Sequence, residues 1–177
     1  LSYSNRSDEY HGLSIAGPNS RKVLEKIVRD DVSNEKFKFR DSRRMFVGGV
    51  PAIINRISFT GELGYEIYVA PHYQLKLYEE LMEAGKEFNI KPFGGRALMS
   101  MRLEKNWGAW TLDYRPDFTA KETGLDAFIN WDKEFIGKES AQKENSSNKL
   151  VPLIVETNEI DVTNNEAVLN GDQSIGY

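Results

Sequence analysis

An α+β fold is predicted for this 177-residue chain by three features of its sequence. Stretches of side-chain period two are mixed with stretches of helical period. Short Gly-marked turns, rather than long crossovers, join neighbouring strands. No internal repeat interrupts the pattern, and the last segment changes character into what reads as the start of an all-β module.

The first strand is predicted at Tyr10–Ala16 (YHGLSIA). Gly17-Pro18-Asn19-Ser20 then opens a helix with Val23, Leu24, Ile27 and Val28 at helical spacing, closed by Asp30-Asp31. Arg44 to Phe59 reads as two strands joined near Gly48-Gly49, with Pro51 at a strand entrance or edge where its missing N–H is tolerated. The Gly-rich turn Thr60-Gly61-Glu62-Leu63-Gly64 leads into a strand that places Tyr65, Ile67 and Val69 on one face and Glu66 and Tyr68 on the other. A helix carrying Leu75, Leu77, Tyr78, Leu81 and Met82 follows, with Gly85 as its stop, and Ile90-Lys91-Pro92 is extended. Arg96 to Lys105 is a helix by composition.

Trp107 to Phe118 is an aromatic loop of the kind that borders a site, and Trp107 and Trp110 are expected in the core. A strand at Leu125–Trp131, a short helix at Gly137–Lys143, a β segment at Leu150–Glu156 and a hairpin turn at Asn170-Gly171-Asp172 complete the pattern. The polar run Gln142–Lys149 is the best boundary, dividing the chain into domains 1–146 and 147–177.

Composition narrows the function. A net charge of −4 opposes a nucleic-acid surface, and Arg40, Arg43 and Arg44 read as a solvated edge. With no cysteine and two histidines, neither a thiolate nucleophile nor a metal centre is expected. No apolar run approaches the roughly 20 residues that span a bilayer. The chain starts without Met and stops within a strand-like segment, so both ends read as cut; the expected location is cytoplasmic.

The chemistry concentrates in Ser58–Val69, SFTGELGYEIYV. A carboxylate fixed on a strand can accept two parallel hydrogen bonds from a ring N–H and an exocyclic amine, the edge that a pterin or a guanine presents. From the residues alone, Glu66 is either such an acceptor or a solvated acid.

Five motifs in order resemble the aminomethyltransferase family, the glycine cleavage T-protein and its relatives. LSIAGPNSRKVLEKI is similar to its strand, Gly-Pro and helix unit; SFTGELGYEIYV to its TGE-x-G-x-E signature; FGGRALMSMRLEK to its G-x-R-x-x-x-x-x-R-x-E helix. Glu122–Leu125 with Phe135–Glu139, and NGDQSIGY at the C-terminal end, resemble its E-x-G-L, DFIG[RK]E and barrel-opening elements. The resemblance implies a folate-binding domain of mixed sheets and packed helices over 1–146, lacking its N-terminal part, and the start of a C-terminal β-barrel over 147–177. It implies tetrahydrofolate as cofactor, Glu66 on its pterin ring, Arg96 bracing ring and carboxylate, and Tyr65 and Glu62 as further contacts. Phe59 stands where the family has Tyr, and Ala97 where it has Asp. The family's catalytic aspartate falls upstream of this chain, so the catalytic residue is unknown and neither Asp8 nor Asp31 replaces it.

Leu103-Glu104-Lys105 followed by Trp107-Gly108-Ala109-Trp110 is closer to the folate domains fused to dimethylglycine and sarcosine dehydrogenases. The implied function is one-carbon (aminomethyl) transfer to tetrahydrofolate. Its partner is either a lipoyl H-protein or a flavin-generated iminium. The alternatives are the folate domain of such a flavoenzyme, or a folate-binding regulatory protein without transferase activity.

Overall fold

The computed structural model describes residues 2–160, 162–163 and 165–177. Its packing divides the chain into two units, one running to Pro116 and the other from Asp117 to Tyr177. The first unit contains strands β1 (His11–Ala16), β2 (Ser42–Val47), β3 (Val50–Asn55) and β4 (Gly64–Val69), with helices α1 (Ser20–Ile27), α2 (Gln74–Gly85) and α3 (Gly95–Glu104). The four strands form one antiparallel sheet in the order β1-β4-β3-β2.

Alternation along each strand decides which side is covered. Ile15, Met45, Val47, Ala52, Ile54, Tyr65, Ile67 and Val69 are buried on one face. They pack with Val23 and Leu24 of α1, with Leu77, Leu81 and Ala84 of α2, and with Val32 and Phe37 from the α1–β2 connection. Each large apolar side chain so enclosed contributes about 1.5–3 kcal/mol. The other face presents Ser14, Arg44, Phe46, Ile53, Asn55, Glu66 and Tyr68, all half-buried or exposed. The β2–β3 hairpin turns at Gly48 and Gly49, both at positive φ (56° and 79°), as a two-residue turn that follows strand twist requires. Pro51 lies second in β3 on the exposed side, opposite Phe46.

Local signals misplace several ends. α1 stops at Ile27 rather than at Asp30-Asp31, because Val28 is already extended and its side chain enters the core. The end of α2 is not among them: Gly85 is its last residue, as expected, buried where an added Cβ would lie 2.5 Å from Ile90 Cγ2, and a 3₁₀ turn continues to Asn89 in the left-handed region. Leu75 and Tyr78 of α2 face outward, so only part of the expected apolar stripe is covered.

The second unit holds α4 (Lys138–Gln142) and a hairpin of β5 (Val168–Asn170) and β6 (Gln173–Gly176). The hairpin turns at Gly171-Asp172, where the sequence places it. Two expected strands do not form. Leu125–Trp131 instead contains a 3₁₀ turn at Asp126–Phe128, because the N–H groups of Leu125 and Asp126 both donate to Ala120 O. Leu150–Glu156 has no ladder among the described residues, and its apolar side chains are exposed. The observed architecture is mixed α+β.

Candidate functional site

Glu66 lies mid-strand in β4 and points away from the core face, as period two dictates. Its register partners are Ser14 on β1 and Asn55 on β3, so polar groups flank it on both sides. It is half-buried, and its Oε2 accepts a 2.7 Å hydrogen bond from the Tyr68 hydroxyl. That bond, then partial burial and the negative charge of Glu66, push the tyrosine pKa up to about 12. Tyr68 therefore stays a donor across the physiological range. Its ring lies over Gly12 of β1, where an added Cβ would be 3.0 Å from Tyr68 Cε1.

Tyr65 has a different surrounding. It is fully buried, stacked on Phe37 with centroids 5.9 Å apart, and its hydroxyl accepts from Arg21 Nε at 3.2 Å. Its side chain belongs to the packed face, so any bearing it has on a ligand is through the placement of β4.

Glu62 sits in the turn before β4 and pairs with Lys105 just beyond α3, at 2.7 Å. The hydrogen bond to Glu62 and its charge raise the lysine pKa. Gly61, at φ 73°, lies beneath the same lysine: an added Cβ would fall 2.8 Å from Lys105 Cβ. The turn itself is pinned by Ser58, whose hydroxyl shares a 2.8 Å hydrogen bond with buried Thr60. Thus the two motif segments, turn and helix, meet at the C-terminal end of α3.

Arg96 occupies the opposite end of that helix. It is exposed in the first turn, and among the described residues no ion pair or hydrogen bond joins it to Glu66. Free N–H groups and the helix dipole favour an acceptor at this end, but a cation there gains nothing from the dipole. The guanidinium is left with its donors outward.

One constellation escaped the sequence reading. Arg102, in the last turn of α3, is buried, with its side chain 5% exposed. Its Nη1 donates to Asp113 Oδ2 at 2.6 Å and to Trp107 O at 3.0 Å, while Trp107 N returns a bond to Arg102 O. Asp113 Oδ2 also accepts from Ala109 N at 2.8 Å. An ion pair therefore occupies the interior of the aromatic loop, and the tryptophans expected there face outward, Trp107 at 48% and Trp110 at 75% exposure. The signal available beforehand was an arginine six residues after Arg96, on a helix with no continuous apolar stripe.

A half-buried carboxylate with lone pairs to spare, beside a fixed hydroxyl and two polar register neighbours, can receive a flat donor edge. The carboxylate is an acceptor, the chemistry that the N–H edge of a pterin ring would require of it. Among the described residues no group of three or more acidic or histidine side chains could hold a metal ion.

Comparison with known proteins is consistent in direction. The family described as GCVT N-terminal domain matches residues 1–133. Human mitochondrial dimethylglycine dehydrogenase is 36% identical over 177 residues, which cover 97% of this chain and 20% of that protein. The aminomethyltransferase of Thermoanaerobacter pseudethanolicus is 34% identical over 143 residues, 80% of this chain and 38% of that protein. Among solved structures, the heterotetrameric sarcosine oxidase from Corynebacterium sp. U-96, in complex with pyrrole 2-carboxylate, matches 50% of this chain and 44% of its own at 21% identity and TM-score 0.44. The chain thus spans 20% of the length of the human dehydrogenase it matches.

Proposed function

We propose that this chain, which belongs to the aminomethyltransferase family through its GCVT N-terminal domain, binds tetrahydrofolate and serves one-carbon transfer. The observation that carries the reading is Glu66, held on the outer face of β4 by Tyr68 rather than released to solvent. In this reading Glu66 accepts the N–H groups of the pterin edge and Tyr68 fixes the orientation of the carboxylate. Arg96 supplies outward donors for a ring carbonyl or carboxylate, and Glu62, paired to Lys105, holds the turn against α3. Bound there, tetrahydrofolate would supply the nitrogen that takes up the carbon unit; the residues of this chain orient it, exclude water and hold charge. The catalytic acid is not assigned to any residue here.

A second reading has its own support. Coverage does not separate the two classes: the human dehydrogenase and the aminomethyltransferase of Bacillus mycoides each align over 97% of this chain at 36% identity. The support is the Leu103-Glu104-Lys105 and Trp107–Trp110 pattern, which leans toward the dehydrogenases. On that footing the chain is the folate domain of a flavoenzyme, and the carbon unit arrives as a flavin-generated iminium rather than on a lipoyl carrier. The β5–β6 hairpin supports the companion inference that a barrel begins near residue 147. Among the described residues no helix is long and apolar enough to cross a membrane, and the human relative is mitochondrial by name.

Calorimetric titration with tetrahydrofolate tests the assignment, in this chain and in the longest polypeptide that carries it. Glu66→Gln is expected to weaken binding by about 1.5–3 kcal/mol, the worth of a charge-assisted contact, and Glu62→Gln by clearly less. Equal losses in the two variants overturn the placement of the ring on Glu66.

A further inference from the structure

Away from Glu66, on the core side of the sheet edge, two arginines share one neutral acceptor. Arg21 Nη2 and Arg56 Nη2 both donate to Asn34 Oδ1, at 2.7 and 2.6 Å. Two cationic donors on one atom identify it as the amide oxygen, since a nitrogen there would oppose both. Four segments converge to make the arrangement. Arg21 comes from the first turn of α1 and Asn34 from the α1–β2 connection; Arg56 follows β3, and Tyr65 of β4 holds Arg21 from within through Nε. Arg56 is fixed in turn by Nη1 donating to Phe37 O at 2.5 Å, and its backbone by Asp41 O and Arg40 N.

Neither guanidinium has a carboxylate within ion-pair distance among the described residues. Two acids of the same connection, Asp31 and Asp41, are engaged elsewhere. Asp31 accepts from Ser33 N at 2.8 Å, and Asp41 accepts from Lys38 N and from Arg43 Nη2. Both have lowered pKa values, Asp31 from its bonds to Ser33 and Asp41 first from Lys38 N–H, so both are charged and committed. Two like charges held together by an amide oxygen concentrate positive charge at one point, with no direct ion pair to offset it among the described residues. Arg21 and Arg56 are half-buried and Asn34 is exposed, so solutes reach the position that Asn34 Oδ1 occupies. Planar forks converging from two directions match an oxyanion better than they match an amide, which offers one oxygen and no charge.

We propose that Arg21 and Arg56 form a binding site for a small oxyanion, a carboxylate or a phosphate, with Asn34 as its displaceable neutral occupant. The site is separate from the folate reading, because Glu66 and Tyr68 lie on the other face of the sheet. Inorganic phosphate and, in a second arm, acetate are titrated into the protein at constant ionic strength, following the arginine side-chain NMR signals and the melting temperature. Saturable shifts of the Arg21 and Arg56 signals are expected in at least one arm, and the arm that saturates at lower concentration names the anion class. Arg21→Gln and Arg56→Gln should each raise the dissociation constant tenfold or more, while Arg29→Gln should leave it unchanged. Asn34→Asp, nearly isosteric, places a carboxylate between the guanidiniums; it should raise the melting temperature and abolish the response to added anion. This variant carries the test if the arginine variants fold poorly. Absence of saturation in both arms, an equal loss in Arg29→Gln, or an unchanged anion response in Asn34→Asp overturns the proposal.

Discussion

The two units of this chain treat their apolar residues in opposite ways. Up to Pro116, alternation in four strands and one stripe on each of α1 and α2 converge on a single dry face, with Leu24, Phe37, Ile54, Tyr65, Ile67 and Leu77 fully enclosed. From Asp117 onward no described residue is buried, and Phe128, Ile136, Ile154 and Ile160 stand more than four-fifths exposed. Hydrophobic content alone does not make a core: the first unit has partners at the right period, whereas the second has apolar residues without a facing layer. In the second unit, order comes from polar contacts. Glu122 Oε2 accepts from Thr119 N, its Oε1 accepts from Ser146 Oγ and Asn148 Nδ2, and its backbone carbonyl accepts from Leu150 N.

The sharpest way to break this contrast is to hollow the enclosed face. Ile67→Ala should destabilise the first unit by about 3–4 kcal/mol through lost burial and a residual cavity, measured by urea unfolding. A cost below about 1 kcal/mol would mean the face is not packed as described. Asp113→Ala comes next. It leaves the Arg102 charge in the interior of the aromatic loop, where Nε already lacks a partner, and should cost about 2 kcal/mol, discounted for the partial exposure of the aspartate.

Acid separates the units in another way. The hydrogen bond from Ser146, then those from Thr119 and Asn148, hold the Glu122 carboxyl below its ordinary value. Its folded pKa is depressed, so the stability it contributes is present above the unfolded value of 4.5 and fades as pH falls through the folded one. Thr119 and Ser146 amide signals should therefore lose protection in acid before those of β4, and Glu122→Gln should flatten that pH dependence. Ile154→Ser is expected to change stability by no more than about 0.5 kcal/mol, because its side chain is already in water.

Legibility in the sequence followed the same division. The strands β1 to β4, the faces of β4, and helices α1 and α2 were readable because each has a period that tertiary packing then used, whereas α3 was readable from composition alone. The segments at Leu125–Trp131 and Leu150–Glu156 carry strand-like composition too, but a strand needs a neighbour, and pairing is not written into either segment. Gly85 ends α2 as the sequence indicates, and it also admits Ile90 at close range, while a 3₁₀ turn carries the path on to Asn89. In the site, the outward direction of Glu66 followed from alternation, and Tyr68 was legible as its face mate. Tyr65 shared the core face in that pattern and is found there. The Arg102–Asp113 pair was not legible, since a buried charge is recognised only when its partner, eleven residues on, is seen to meet it. The pairing of Glu62 with Lys105 depends on how α3 ends over the turn, which no local pattern encodes.

Gly12 has only hydrogen where every other residue has carbon, and the aromatic ring of the adjacent strand rests in that gap. A methyl group introduced at this position would tilt the ring and carry its hydroxyl off the acid it steers. On the proposed function, selectivity for the heterocycle would thereby be tunable from a neighbouring strand, by a residue outside the proposed contacts.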